Sequence, residues 1–439
     1  MKEKLNILIL SSRLPSHSAD LGRDVITSLT KAGHNVQFGF DGIESYIAAF
    51  TKPQKVTFWK KAYARTYYYL RKYLNGWSDL FPQVSTWAKD GIVIFHPFED
   101  RPPLSEKIVL DNLKGEYDIC VVLFYHNMFT TKTYKAIFDK YHIPIVFVGI
   151  DMMPMTGGCY YFGNCRNFEH ECGNCPVLGG RFKNDQTHKN FLYKKSVYDR
   201  IDCVFWANSW MLGFAKRSHL FDNARMQAVS FVMDENEYAP RNIQECRKKF
   251  NIPDDKKYIF LSRYRTIARK GMDVMADGVN RLYDSLQEDE RKKTLLVLIG
   301  EKADNMGEIF KMDVMQLGFL KKSSLIDAYN ASTAFLCSST EDAGPSMINQ
   351  SMACGTPVIA FDAGCAPDMI DDGVNGFKTP LSEKEKWGDG LIKICSMSEE
   401  EYIEMRHQAR KKAVAINGLE VFAKAIEDVY REFCPNGKK

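Results

Sequence analysis

Short apolar runs alternate with helix-length amphipathic stretches along most of the chain. The runs occupy residues 7–10, 36–40, 120–124, 145–148 and 204–207, and then 258–262, 295–299, 334–337 and 358–361. Short runs rich in β-branched and aliphatic residues, bounded by turn formers, predict buried strands, and their alternation with helical periodicity predicts parallel sheets covered by helices. Two groups of strands imply an α/β chain of two doubly wound, Rossmann-like domains. A polar, proline-containing stretch at 234–242, between a strand-like 228–232 and a basic helix, is the expected boundary. The chain then divides into a first domain over 1–235, a second over 236–415 and a C-terminal segment over 416–439, helical and amphipathic from 419 to 433. Residues 43–107 break the alternation and read as an insertion. Ligands in open α/β sheets collect beyond the carboxyl ends of the strands, so the groove between the domains is the expected site.

With 439 residues and 45% hydrophobic content the chain can bury two cores. Its 59 basic and 55 acidic residues leave a net charge of +4, so no global field draws it to nucleic acid, which is not expected as a partner, or to an anionic membrane. No run approaches the length of a membrane span. Lys2 and Lys4 before residues 5–10 imitate a signal peptide, but the apolar run is short and 11–15 makes a poor cleavage site. The segment reads as the first strand, and the protein as cytoplasmic.

The densest chemistry lies at 338–361. A loop with two acids, Glu341 and Asp342, leads into a short helix opened by Gly344-Pro345 and closed by Gly355, followed by a buried strand. The start of such a helix, here Gly344, Pro345, Ser346 and Met347, offers unpaired amides and the positive end of a dipole to a phosphate or a sugar hydroxyl. After the strand at 258–262 come Arg263, Arg265, Arg269 and Lys270, then Gly271, which permits close backbone approach. Bases at a strand-to-helix turn can neutralise a diphosphate leaving group without a metal; the plain alternative is a solvated charged turn.

Residues 258–380 resemble the donor half of a retaining glycosyltransferase of family 4. The likeness rests on Arg269-Lys270-Gly271, Leu317-Gly318-Phe319, the stretch from Ser338 to Glu341, that from Met352 to Ile359, and that from Asp372 to Gly376. The resemblance implies the GT-B fold, two Rossmann-like domains facing across a cleft with the last helix returning to the first. It implies transfer, with retention, of a hexose-type sugar from a nucleoside diphosphate sugar to a glycan or lipid-linked acceptor, with no catalytic metal. The family loop carries two glutamates separated by seven residues, the first by the donor sugar and the second on the nucleotide ribose. They map to Asp342, with Glu341 beside it, and to Gln350. Gln350 is a departure, although its amide still offers a donor and an acceptor to hydroxyls. By the same resemblance Arg263 and Lys270 meet the diphosphate and the backbone from Gly344 to Met347 meets the donor sugar, with Arg269 a further donor-binding candidate.

In the first half, only Gly22 and Arg23 match the family loop that faces the donor phosphates; read alone, the segment is a helix capped by Asp20. Residues 143–178 resemble a subset of the family active on bacterial surface polysaccharides, in which a strand ends in His-Asp before an aromatic-rich turn and Thr-Gly-x-Cys. Here the text is Ile150-Asp151, then Thr156-Gly157-Gly158-Cys159. Isoleucine stands where the subset has a histidine proposed to assist catalysis. Asp151 remains, and His126 follows the preceding strand, a catalytic candidate on the same sheet edge or a structural histidine. Retaining transfer tolerates the change if the leaving phosphate takes the acceptor proton and the protein supplies orientation and charge.

Cys159, Cys165, Cys172 and Cys175 fall in a turn-rich loop at 157–178, while the other eight of the twelve cysteines are scattered among apolar or helical stretches. The loop composition promises little core of its own, and four thiolates on one structural zinc would fix it. An iron-sulphur cluster, two disulfides or unpaired buried thiols are the alternatives. Four filled positions leave none open for catalysis. Residues 52–73 interleave bases with aromatics, which suits either an amphipathic helix burying its rings or a peripheral contact at the inner membrane face near a lipid-linked acceptor. Two other classes compete with transfer: a non-catalytic sugar-nucleotide-binding relative, motivated by Ile150 and Gln350, and a metal- or redox-sensing protein built round the cysteines.

Overall fold

The computed structural model describes residues 4–12, 20–41, 87–89, 92–94, 98–126 and 128–434. The basic aromatic segment 52–73 and most of 43–107 lie outside them. The chain forms two compact units. The first comprises Met1–Ala207, Met211–Val229 and Phe422–Lys439, and the second Asn208–Trp210 and Ser230–Val421.

The first unit contains β1 (Asn6–Ser11), β2 (Asn35–Asp41), a short antiparallel pair β3 (Trp87–Lys89) and β4 (Ile92–Ile94), then β5 (Ile119–Val122), β6 (Ile145–Val148), β7 (Cys203–Ala207) and β8 (Arg225–Ala228). Six of these form a parallel sheet in the order β2-β1-β5-β6-β7-β8, with the order reversing between β1 and β5. The strand expected at 228–232 lies earlier, as β8. The helix Asp20–Lys31 begins at Asp20 itself.

The second unit contains β9 (Tyr258–Tyr264), β10 (Thr294–Gly300), β11 (Val314–Gly318), β12 (Ala334–Cys337), β13 (Val358–Phe361) and β14 (Gly376–Thr379). They form a parallel sheet in the order β11-β10-β9-β12-β13-β14, reversing between β9 and β12. Alternate residues feed two cores. Ile259, Leu261, Val297, Phe335 and Val358 pack into one, and Phe260, Leu296, Leu298, Leu336 and Ile359 into the other. Burial on both faces is why these strands read as continuous apolar runs, and each such side chain contributes about 1.5–3 kcal/mol.

The polar stretch at 234–242 is not a linker. Tyr238 is wholly buried, and the Arg410 guanidinium donates to the carbonyls of Glu235, Tyr238 and Ala353. The main segment of the second unit begins at Ser230, ahead of the expected boundary. A salt-bridge-free guanidinium can replace water for several carbonyls at once, which lets a charged, proline-containing segment pack.

The helix Leu419–Phe433 buries Phe422, Ala423, Ile426, Val429 and Tyr430, and from Phe422 onward it groups with the first unit. Phe422 meets Trp206 of β7 edge to face at 5.4 Å. Nearby, the buried His34 accepts the Leu5 amide on Nδ1 at 3.4 Å and sets Nε2 3.5 Å from Glu427 Oε1. Burial lowers the His34 pKa below 6.5, although Glu427 pulls it upward. Below about pH 6.5 the unfolded chain therefore binds a proton that the folded chain resists, so stability present above that pH is lost as pH falls toward the folded value. The denaturant midpoint should drop between about pH 7 and pH 5, and less so in His34→Gln. An equal or steeper drop in the variant would exclude His34 as a cause. Among the described residues no helix is long and apolar enough to cross a membrane.

Candidate active site

The loops after β9 and β12 flank the point where strand order reverses in the second unit, the place where open α/β sheets hold ligands. These loops are bonded to each other. Thr340 N donates to Arg269 O at 2.9 Å and Ser338 Oγ to Lys270 O at 2.8 Å. Gly271, at φ +61°, lies so close that a Cβ there would fall 2.1 Å from Ser338 O, so only glycine fits.

This contact sets the charges. Lys270 Nζ pairs with Asp342 Oδ2, and Arg269 NH1 donates to Glu341 O at 3.1 Å while standing 3.5 Å from Asp342 Oδ2. Arg263, on β9, is exposed at its surface; partial desolvation, then repulsion from Arg265, lowers its pKa, with Tyr329 and Asp342 acting in the opposite sense. Glu301 fixes the start of the loop by accepting Thr266 N at 3.0 Å and pairing with Arg265 at 3.2 Å. Those amide and hydroxyl bonds, with Arg265, hold its carboxyl below the usual range.

Asp342 Oδ1 accepts the Gly344 amide at 3.3 Å. Gly344 sits at φ +152°, where a Cβ would come into tight contact, 3.0 Å from the Phe231 ring. The helix Ser346–Ala353 starts after Pro345 without a side-chain cap, leaving the Ser346 and Met347 amides directed away from the helix body. Ser346 is exposed, whereas Gln350 is buried and accepts the hydroxyl of the wholly buried Tyr329 on Oε1 at 2.9 Å. The structure thus brings together Arg263, Arg269, Lys270, Glu341, Asp342 and Gly344, and sets Gln350 behind them through Tyr329. Tyr329 and Glu301 were not singled out from the sequence, where one is an aromatic in a helical pattern and the other an acid among many.

In the first unit, His126 follows β5 and Asp151 follows β6. Asp151 is fully buried. Its Oδ2 lies 2.7 Å from His126 Nε2, and its Oδ1 accepts Tyr125 OH at 2.5 Å and Met153 N at 2.8 Å. Burial, then the Asp151 charge, raises the Tyr125 pKa far above its ordinary value, so the phenol stays a donor. The His126 ring packs against Tyr125 and Tyr160, with centroids 4.8 and 5.1 Å away. Gly22 is buried and Arg23 exposed on the helix after β1, Arg23 Nε standing 3.8 Å from Asp24. Beneath Asp151, buried Lys194 donates to the carbonyls of Met153 and Thr156 at 2.6 and 3.0 Å and pairs with Glu99 at 3.2 Å. No spacing in the sequence announces Glu99, which lies at the far end of the 43–107 insertion.

The four clustered cysteines line one small cavity with Phe168, Asn167, Pro176 and Thr187. Their loop has more core than its composition suggests. Phe162 and Phe168 stack at 4.6 Å and Phe214 meets Phe162 edge to face at 4.9 Å, with Arg166 over the Phe162 ring. Burial raises the Cys159 thiol to about 12 and pushes Cys172 and Cys175 up.

Residues 242–414 match the family model described as Glycosyl transferases group 1. The chain is 30% identical over 108 residues to the D-inositol 3-phosphate glycosyltransferase of Saccharomonospora viridis, covering 25% of each. It is 22% identical over 222 residues to the N-acetyl-alpha-D-glucosaminyl L-malate synthase of Bacillus anthracis, covering 49% of this chain and 56% of that one. The chain therefore spans about a quarter to a half of the length of these curated relatives. Among solved structures it is similar to sucrose-phosphate synthase from Thermosynechococcus elongatus, with a TM-score of 0.61 and 13% identity over 98% of both chains. It is also similar to Anabaena Alr3699/HepE in complex with UDP-glucose, with a TM-score of 0.56 and 15% identity over 98% of this chain and 100% of that one. At such identities the likeness is one of fold. Residues 242–414 are therefore similar to group 1 glycosyltransferase domains, in an α/β chain with the GT-B fold.

Proposed function

We propose that the protein is a retaining glycosyltransferase that moves a hexose-type sugar from a nucleoside diphosphate to a glycan or lipid-linked acceptor. The observation that carries this reading is the cluster of Arg263, Arg269 and Lys270 against Asp342 and the uncapped start of the helix Ser346–Ala353. Cations and amides on one sheet edge suit a pyrophosphate, and the adjoining carboxylate suits sugar hydroxyls. The UDP-glucose complex of the Anabaena protein supports a nucleotide-sugar donor. In this mechanism Lys270 and the arginines take up the charge that grows on the departing diphosphate. Its oxygen accepts the acceptor proton, and Asp342 orients the sugar. Gln350 reaches the ribose through Nε2 while Tyr329 holds its Oε1.

Incubation with UDP-, GDP- and ADP-hexoses should reveal one donor that is slowly hydrolysed, with the released sugar retaining its anomeric configuration. Binding without cleavage of any donor would favour a non-catalytic relative, the reading that Ile150 and Gln350 together motivate. Asp342→Asn separates the two roles of the loop. Without a carboxylate competing for Lys270 and Arg269, the free nucleoside diphosphate should bind up to about fivefold more tightly, the range of a partly exposed ion pair. Donor hydrolysis should fall at least about tenfold as the hydroxyl contact is lost. Calorimetry showing weaker nucleotide binding in the variant would remove Asp342 from this role.

A further inference from the structure

We propose that Cys159, Cys165, Cys172 and Cys175 bind one Zn²⁺ as a closed tetrahedral thiolate site that holds residues 157–175 as one unit. All four side chains line a single cavity. A hydrogen-bond donor is already aimed at one of the sulfurs. Gly157 N donates to Cys172 Sγ at 3.2 Å, while the Thr156 hydroxyl and the Leu178 amide donate to the backbone carbonyls of Cys159 and Cys175 at 3.0 and 2.9 Å. A backbone amide directed at a sulfur stabilises the thiolate, which a neutral thiol, a poor acceptor, does not require. The turn carrying Cys172 is forced into an unusual path. Glu171, Cys172, Gly173 and Asn174 all have positive φ, and a Cβ on Gly173 would lie 1.9 Å from Lys183 O. Such a conformation persists only where surrounding bonds over-determine it, and a metal tie supplies them.

Among the described residues no three His, Cys, Asp or Glu side chains already stand as a ligand set. Capture would close the four sulfurs on the ion by side-chain rotation, on backbone already gathered round the cavity. Each thiol that binds yields its proton to solvent, so up to four are released, and the Lys194 ammonium offsets part of the resulting negative charge. The second-half consequence is positional. Cys159 precedes Tyr160, whose carbonyl accepts Met152 N at 3.0 Å and whose ring packs on His126. The metal would hold that strap over the His126–Asp151 pair without touching it.

The test uses the full chain purified without added metal. Expected are one zinc per chain, retained in Cys203→Ser on β7 and lost in Cys159→Ser and Cys175→Ser, and visible tetrahedral-thiolate bands when Co²⁺ replaces Zn²⁺. If those variants do not fold, stripping and reloading the unaltered chain decides: Zn²⁺ should protect four thiols from alkylation and slow amide exchange in the peptide containing Met152 at least about tenfold. Absence of metal with thiols alkylated equally with and without Zn²⁺ overturns the proposal. So do iron with acid-labile sulfide, two disulfides in the purified chain, or zinc retained in both cavity variants. Protection of the thiols without any change at Met152 overturns the strap.

Discussion

Alanine at Lys270 is expected to lower donor cleavage about 10²–10³-fold at saturating donor, the usual cost of removing one group that meets developing charge in a desolvated site. His126→Ala should cost less than about tenfold. The ranking follows from where each side chain stands. Lys270 lies in the loop fastened to the post-β12 segment, its carbonyl accepting Ser338 Oγ and its ammonium against Asp342. His126 has Nε2 committed to Asp151 at 2.7 Å, in a pocket where the carboxylate is fully buried. The Lys270–Asp342 pair is partly exposed, so its loss should cost the fold no more than about 1 kcal/mol, and the activity loss would not be a folding effect. Lys270→Arg should recover part of the rate, since the charge returns with altered reach. Single-turnover hydrolysis of the best donor, read beside a denaturant titration of each variant, makes the comparison. The opposite ranking would mean that a protein base, and not the leaving phosphate, takes the acceptor proton.

The central strands of both units were legible in the sequence because they are buried on both faces. Residues 258–261, 295–299, 334–337 and 358–361 are apolar without interruption, and each lies within an observed strand. The strands missed are of another kind. β8 (Arg-Met-Gln-Ala), β11 (Val-Met-Gln-Leu-Gly) and β14 (Gly-Phe-Lys-Thr) lie at sheet edges, where polar and half-buried residues suffice and no run forms. The start of the helix Ser346–Ala353 and the stop at Gly355, φ +74°, were legible because proline and glycine each signal one backbone geometry. The proline at 240 misled, because Arg410, distant in sequence, satisfies the carbonyls around it. The bases at 263–270 announced a charged turn, but not that Asp342 would neutralise two of them. That pairing depends on β9 and β12 being neighbours, which order along the chain does not specify. Tyr329 and Gln350 meet for the same reason.

Asp151 carries the other large effect. Its carboxylate accepts Tyr125 OH and Met153 N on one oxygen and faces His126 on the other, with no solvent to replace any of them. Asp151→Ala would strand a buried phenol, a buried amide and an imidazole, and should lower stability by about 3 kcal/mol or more. Asp151→Asn keeps the shape and permits a sharper reading. A carboxylate only accepts, so the neutral His126 ring must carry its proton on Nε2. In the asparagine variant the carbonyl oxygen still serves Tyr125 and Met153, which turns the amide NH₂ toward Nε2. That nitrogen must then accept, and the neutral ring proton moves to Nδ1. Long-range ¹H–¹⁵N correlation of the labelled imidazole distinguishes the tautomers directly, and an unfolding titration of both variants gives the stability cost. A ring that keeps Nε2–H in Asp151→Asn, or an alanine variant as stable as the parent chain, would dissolve the constellation. With the tautomer as expected, Nε2 is a donor held by Asp151 and Nδ1 keeps the only lone pair of the ring, so any proton that His126 takes up must arrive at Nδ1.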